Sequence, residues 1–362
     1  MKAMIIRSLS PAVVAVGLWL TALFAAAGAT WYVTSDGTGS GSSWADPTNS
    51  IQGAIVAAAI GDTVLVSNGH YVVTNEITIT NAVLVRGLNP PDGVTITRDP
   101  AYETRLVMIN ALGAVFDGFT LTNGCHTNGG GIYLGAGLVT NCNIFYCKAS
   151  NRGGGLDLRH TNAVVNNCRV ISNEVSGGDN IGGGGVCFNY AAKLLNSTVA
   201  DNKSVGRGVG IQVYAPSGTL SVISNCLISG NQHLGTDTRR GVGIVVAGSP
   251  GHRVHIHNSV ISNNSTYSLV GGISVENGSV VELIGSAITH NKGYLCGGLA
   301  TYTCNSVLIS NCTFTCNESL SYAGGIFHGY LSGNVGSMTV THSRIIGNLA
   351  TNYYGGGIYF KS

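Results

Sequence analysis

Apolar residues in this 362-residue chain recur at fixed offsets from a polar marker, not with the period of a helix. With Asn141, Asn167, Asn196, Asn225, Asn258, Gly285, Asn311 and His342 as origins, the residue two places earlier is always aliphatic (Val139, Val165, Leu194, Ile223, Ile256, Leu283, Ile309, Val340). The residue three places later is always apolar (Ile144, Val170, Val199, Ile228, Ile261, Ile288, Phe314, Ile345). Alternate side chains of a strand point to opposite faces, so offsets of opposite parity reach one core only if the chain bends at the marker. A closing Asn stands six residues after the origin (Asn173, Asn202, Asn231, Asn264, Asn291, Asn317, Asn348), replaced once by Cys147. A glycine step follows, then a third run whose first and third positions are mostly apolar, from Ile132/Leu134 and Leu156/Leu158 to Ile358/Phe360. Its middle positions (Tyr133, Asp157, Cys187, Gln212, Val245, Ser274, Ala300, Phe327, Tyr359) share no character and are expected to point outward.

Each unit thus predicts three short strands and three bends. The glycine turns recur about every 28 residues between Gly131 and Gly357, too short for a strand-helix-strand repeat. The fold class that follows is all-β, a parallel β-helix in which each strand stacks on its equivalent in the next coil. Right-handed crossovers are the general preference, so the right hand is expected. The one convincing helix begins after Ser50, with Ile51, Ala54, Ile55, Ala58 and Ala59 as its apolar stripe and Gly61 as its end. It is expected to cap the open first edge of the solenoid. The division is a leader at 1–29, a strand and capping helix at 30–62, and the β-helix at 63–362. The last coil is read as open or truncated at Ser362, an edge that would associate end to end.

Composition narrows the function. Charged residues are 9% of the chain, and 53 glycines are about twice the usual share. Lys2 and Arg7, the apolar run Pro11 to Ala27 and the small residues Ala27-Gly28-Ala29 form a secretory leader. Without it, 16 basic and 16 acidic residues remain, with no basic cluster, which excludes nucleic acid as an expected partner. No other long apolar run occurs, so no membrane span is expected in the mature chain. Ten cysteines in an exported chain permit disulfides. Four of them alternate with serine after the origin residue (Cys142, Cys168, Ser197, Cys226, Ser259, Ser286, Cys312, Ser343), which suggests small buried groups. Pairing of Cys142 with Cys168, Cys296 with Cys304, or Cys125 with Cys147 stays open.

Candidate chemistry is sparse. The best charged cluster is Asp157, Arg159 and His160, near Tyr133 and Gln212; it reads either as a catalytic site or as a solvated face. Tyr267, Tyr294, Tyr322, Tyr353 and Tyr354 recur in the bend before the glycines and would form a ligand-binding row able to stack sugar rings, or would simply pack the turns. His255 and His257 share the outward parity, with Glu282 one coil on. Such donors suit Zn²⁺, but outward histidines on a charge-poor rod need no special cause, so no metal or cofactor is expected.

The alternation of Phe314-x-x-Asn317 and Ile345-x-x-Asn348 with Gly-Gly-Ile at Gly324 to Ile326 resembles the repeat of polymorphic outer-membrane proteins, bacterial surface proteins with right-handed β-helical passengers. The segment from Trp31-Tyr-Val through Ser50-Ile-Gln-Gly-Ala-Ile and Gly61-Asp-Thr-Val to Gly69-His-Tyr71 is similar to the start of secreted bacterial β-helix proteins, including polysaccharide lyases and pectin-active enzymes. The resemblance implies a secreted or cell-surface protein, with the outer membrane as one such place. The leading expectation is a non-catalytic, adhesin-like or envelope-associated rod whose partner is a polysaccharide or a host or cell-surface component. The alternative is a carbohydrate-active enzyme, a polysaccharide lyase or glycoside hydrolase, on the same scaffold.

Overall fold

The computed structural model describes residues 28–178, 182–235, 241–267, 269–329 and 336–361, so residues 1–27 of the leader lie outside the described residues. The chain winds as a parallel β-helix in which all the ladder pairings are parallel. Four strands, not three, make up a regular coil. The first ladder precedes the origin residue and runs from Thr30–Val33 through Ala163–Asn166 and Arg253–His257 to Ser337–Thr341. The second follows it, an 11-stranded sheet from Gly69–Val73 to Arg344–Ile346. The third is short, with strands such as Glu174–Val175 and Glu318–Ser319, and was not anticipated because two residues carry no periodicity. The fourth follows the glycines, from Ile77–Ile79 through Leu156–Leu158 to Ile358–Lys361.

The core is the stack of inward residues named from the sequence: Val139, Val165, Leu194 and Ile223 on the first ladder and Ile144 to Phe314 on the second are all fully buried. Parallel register brings each apolar residue over its equivalent, Ile144 on Val170 and Ile288 on Phe314. At about 25 cal/mol per Å² of apolar surface removed from water, this column is the main stabilising term.

Polar ladders hold the corners. The closing asparagines from Asn173 to Asn317 are fully buried. Each Nδ2 donates to the Oδ1 of the next coil, as Asn231 does to Asn264 at 2.9 Å, and to a backbone carbonyl one coil back, as Asn231 does to Val199 at 3.1 Å. Cys147 heads the ladder, its N–H donating to Asn173 Oδ1 at 2.9 Å. Asparagine tolerates the left-handed backbone, so a closing Asn could turn the corner itself. The structure puts positive φ on its predecessor instead: Tyr146, Ser172, Asp201, Gly230, Asn263, His290, Cys316 and Gly347, each between 53° and 65°. A second left-handed corner falls on the origin residue, from Asn141 at 52° to His342 at 49°. Asn and Gly tolerate that conformation best, which explains the marker.

All ten cysteines are free, so none of the three possible pairings forms. The small-residue column is a hydrogen-bond rail: Ser197 Oγ donates to Leu195 O at 2.6 Å and accepts from Cys168 N–H at 3.1 Å. Burial pushes the Cys226 thiol up to about 11, and Cys168 well above its ordinary value, which leaves these thiols un-ionised and inert.

The helix is shorter than expected. It spans Ile51–Ala57, with Ser50 Oγ accepting from Gly53 N–H, and unwinds at Ala58, before Gly61. Asp62 explains the early end. Its carboxylate accepts from Ala59 N–H at 2.8 Å, from Ala29 N–H at 2.7 Å and from the Trp31 indole at 3.2 Å, pulling the chain after the helix onto the first strand. Ile51, Ala54 and Ile55 pack inward near strands Thr30–Val33, Thr63–Val66 and Ile77–Ile79. Among the described residues no helix is long and apolar enough to cross a membrane.

Candidate functional site

The outward middle residues of the fourth ladder form one stack in register: Met108, Tyr133, Asp157, Cys187, Gln212, Val245, Ser274, Ala300, Phe327 and Tyr359. They point away from the core as expected, yet from Asp157 to Phe327 they are buried. The glycine bend of each coil folds back over them. A Cβ on Gly183 would lie 2.9 Å from Cys187 Cβ, and Gly183 has φ +71°, so this close return requires glycine.

Asp157 sits in this column, fully buried, and Arg159 Nε bonds its Oδ2 at 2.8 Å. Asn189 Nδ2 donates to the other oxygen, and Arg152 donates to Asn189 Oδ1. Burial raises the Asp157 pKa above the usual carboxylate range, against the opposing pull of Arg159, Asn189 and Arg152. One coil back, Tyr133 lies between two guanidinium groups, with Arg105 Cζ 5.1 Å and Arg159 Cζ 5.7 Å from its ring centroid. Such contacts contribute about 0.5–2 kcal/mol each. Arg105 is paired to Glu76 at 2.6 Å and lies 3.0 Å from His126 Nδ1. Burial and that guanidinium lower the His126 pKa, which keeps the imidazole neutral at pH 7. Arg152 lies 5.6 Å from the Tyr214 ring centroid, and among the described residues no carboxylate is within ion-pair distance of it. Glu76, the partner of Arg105, also lines a cleft of about 510 Å³ with Ser35, Gln52, His70, Tyr71 and Asn75.

The sequence placed Asp157, Arg159 and Tyr133 together, and the structure does the same. His160 departs from that group: three residues beyond Asp157, it has the opposite parity and lies in the turn, its ring stacked on Tyr190 at 6.4 Å. Gln212 meets Cys187, not Asp157. Arg105, Arg152, Glu76, His126 and Asn189 were missed, because most of them lie outside the regular run of the repeat. The available signal was charge: in a chain with 9% charged residues, Arg98, Arg105, Arg152, Arg159 and Arg169 fall close together.

The tyrosine row is not continuous. Tyr322 stacks on Tyr354 at 5.2 Å and Tyr354 on Tyr359 at 4.6 Å, while Tyr353 lies 6.2 Å from Tyr354 and is 70% exposed. Tyr267, 90% exposed, and Tyr294 join no ring contact among the described residues. The reason is register. Tyr267 and Tyr294 stand three residues after the closing Asn, whereas Tyr322 and Tyr353 stand five after it.

Among solved structures, the pectate lyase Pel9A is 15% identical over 87% of this chain and 78% of its own, with a TM-score of 0.43. The A-module of the Azotobacter vinelandii mannuronan C-5 epimerase AlgE4 is 11% identical over 82% and 88%, with a TM-score of 0.45. The catalytic unit of a Streptomyces thermodiastaticus α-1,3-glucanase is 15% identical over 91% and 71%, with a TM-score of 0.43. No curated protein matches the chain. The model of the right-handed β-helix region matches residues 106–272 and 210–362, the β-helix itself and not an outer-membrane or passenger repeat. These matches span more than half of the chain, which therefore belongs to the right-handed β-helix family.

Proposed function

We propose that the protein is carbohydrate-active and takes an acidic polysaccharide across the outer face of the fourth ladder, at Tyr133, Arg152 and Arg159. The observation that carries this reading is the Tyr133 ring within reach of two guanidinium groups and linked through Arg159, Asp157 and Asn189 to a third, Arg152, which has no carboxylate within ion-pair distance among the described residues. An arginine meets a uronate carboxylate with two parallel hydrogen bonds. Arg105 and Arg159 already have carboxylate partners, so Arg152 is the anion anchor and the other two hold the ring. Elimination from a uronate needs a cation at the carboxylate and a group that exchanges a proton at the sugar ring. The Tyr133 oxygen takes the proton from C5 as the C4–C5 double bond forms and the C4–O bond breaks, and it passes that proton to the departing glycosidic oxygen. The basic and apolar leader supports action outside the cytoplasm, where such polymers are met. This reading replaces the non-catalytic surface rod, for which neither the family nor the geometry offers support.

The test is to incubate the purified chain with polygalacturonate, alginate and a neutral glucan, following retention on the polymer and the ultraviolet absorbance of unsaturated uronate products. An acidic polymer is expected to be retained and cleaved. Arg152→Ala weakens retention about tenfold, and Tyr133→Phe keeps retention but loses cleavage. Preference for the neutral glucan, or no effect of Arg152→Ala, overturns the proposal.

A further inference from the structure

A second cluster lies on another wall, three coils beyond Asp157 and independent of the acidic-polymer site. His255 and His257 are alternate residues of the first-ladder strand Arg253–His257, so the pleat turns both outward. Their rings stack at 5.1 Å. The next coil puts Glu282 in register with His255, with Glu282 Oε2 3.3 Å from His255 Nε2. One donor atom from each of the three lies within 4.8 Å of the other two. Both Nε2 atoms are shielded from solvent; that of His255 faces Glu282 Oε2, and that of His257 has no hydrogen-bond partner. A buried polar atom without a partner calls for one, and a bound ion is such a partner.

We propose that His255, His257 and Glu282 bind a divalent transition metal, with Zn²⁺ the ion that fits best. Two imidazoles and one carboxylate are the donors Zn²⁺ takes, whereas Ca²⁺ and Mg²⁺ call for an all-oxygen set. With bonds of about 2.0–2.1 Å, tetrahedral donors stand roughly 3.3 Å apart. The His255–Glu282 separation already matches, and a side-chain rotation of His257 completes the set. Arg253 Nη2 lies 3.5 Å from Glu282 Oε1, the oxygen the metal does not need, so it orients the carboxylate and leaves Oε2 free. Its positive charge also lowers the affinity. Three protein donors leave a fourth position open to water or an outside ligand, the arrangement of a reactive centre, not of a closed structural one.

The test is titration of the metal-free full chain with Co²⁺ and Zn²⁺, after the exposed Cys316 has been blocked by alkylation. One equivalent of Co²⁺ should give the intense visible bands of a tetrahedral ion, and one equivalent of Zn²⁺ should abolish them. His257→Gln and Glu282→Gln should each weaken binding at least tenfold, while His233→Gln should leave it unchanged. Should a variant not fold, the wild-type cobalt spectrum decides. Weak octahedral bands, a thiolate charge-transfer band, or affinity unchanged by His257→Gln with the fold intact each overturn the proposal.

Discussion

The outer face of the fourth ladder carries two different surfaces on one backbone. In its N-terminal half the stacked outward residues are Tyr133, Asp157, Cys187 and Gln212, tied by charge to Arg105, Arg152 and Arg159. In its C-terminal half they are Val245, Ser274, Ala300 and Phe327, and a second apolar core forms over them from Val270, Leu295, Cys296, Tyr302 and Ala323. Strand pairing and glycine bends are the same in both. What differs is whether the covering bend supplies apolar groups that satisfy the column or leaves charges that must find partners. The apolar half is closed on itself and serves stability. The charged half keeps the Arg152 guanidinium, which among the described residues has no carboxylate within ion-pair distance, and can serve a ligand.

The largest effect expected from this contrast is in the apolar half. Phe327 is fully buried among Tyr302, Tyr322 and Tyr359, with ring centroids 5.6–5.9 Å away. Phe327→Ala should destabilise the chain by about 3–5 kcal/mol, read as a lowered denaturation midpoint, while retention on an acidic polymer is unchanged under native conditions. Tyr353→Ala, at a 70% exposed position, should change neither. Loss of polymer retention in the folded Phe327→Ala protein would mean that the two halves are one site.

The matching change in the charged half is Arg159→Leu. Removing it strands the Asp157 carboxylate in a buried place, where an unpaired charge costs roughly 3 kcal/mol or more. The double variant Asp157→Asn, Arg159→Leu should recover most of that loss. If it does not, Arg159 acts by packing on Tyr133 and not through the ion pair.

Acid should affect the two halves in opposite directions. Asp157 has a raised folded pKa, so its contribution is present below the unfolded carboxylate value and is lost as pH rises through the folded one. His252 is fully buried beside the coils of the apolar half; Thr219 Oγ1 is 3.0 Å from its Nδ1, its Nε2 is unpartnered, and burial lowers its pKa to about 4. For His252 the unfolded chain takes up its proton first, near pH 6.5, so stability is full above that and is lost as pH falls towards 4. At about 1.4 kcal/mol per pH unit, the loss reaches roughly 3 kcal/mol. Hydrogen exchange measured from pH 7 down to 4 should show the coil at His252 loosening, while that at Asp157 does not. His252→Gln should remove the loosening.

The repeat was legible because solenoid stacking makes every coil solve the same problem. Ile144, Val170 and Phe314 can be read as core from offset alone, and Asn231 as a ladder member. The third ladder was invisible, since two residues such as Glu174 and Val175 show no alternation. The burial of Asp157 was invisible too. Parity gives its direction, but its cover comes from a bend whose return path depends on the positive φ of Gly153. The breakup of the tyrosine row could have been read by counting from the closing Asn, since Tyr294 and Tyr322 stand at different offsets. The arginines around Tyr133 come from coils on both sides and from segments without the repeat, so offsets could not assemble them.

The corners should be indifferent to which surface they serve, and this is the smallest effect. Ser172 in the charged half and Cys316 in the apolar half hold the same left-handed corner, at φ 58° and 54°, where Gly230 and Gly347 stand on other coils at 65°. A side chain in this conformation costs roughly 1–2 kcal/mol relative to glycine, and glycine returns up to about 1 kcal/mol through the greater freedom of the unfolded chain. Ser172→Gly and Cys316→Gly should therefore each stabilise by about 0.5–1 kcal/mol, measured by chemical denaturation, and the double variant should show the sum because the sites share no partner. A gain at Cys316 without one at Ser172 would show that the charged half already strains or reshapes its corner, and the difference between the halves would then extend from the side chains into the backbone.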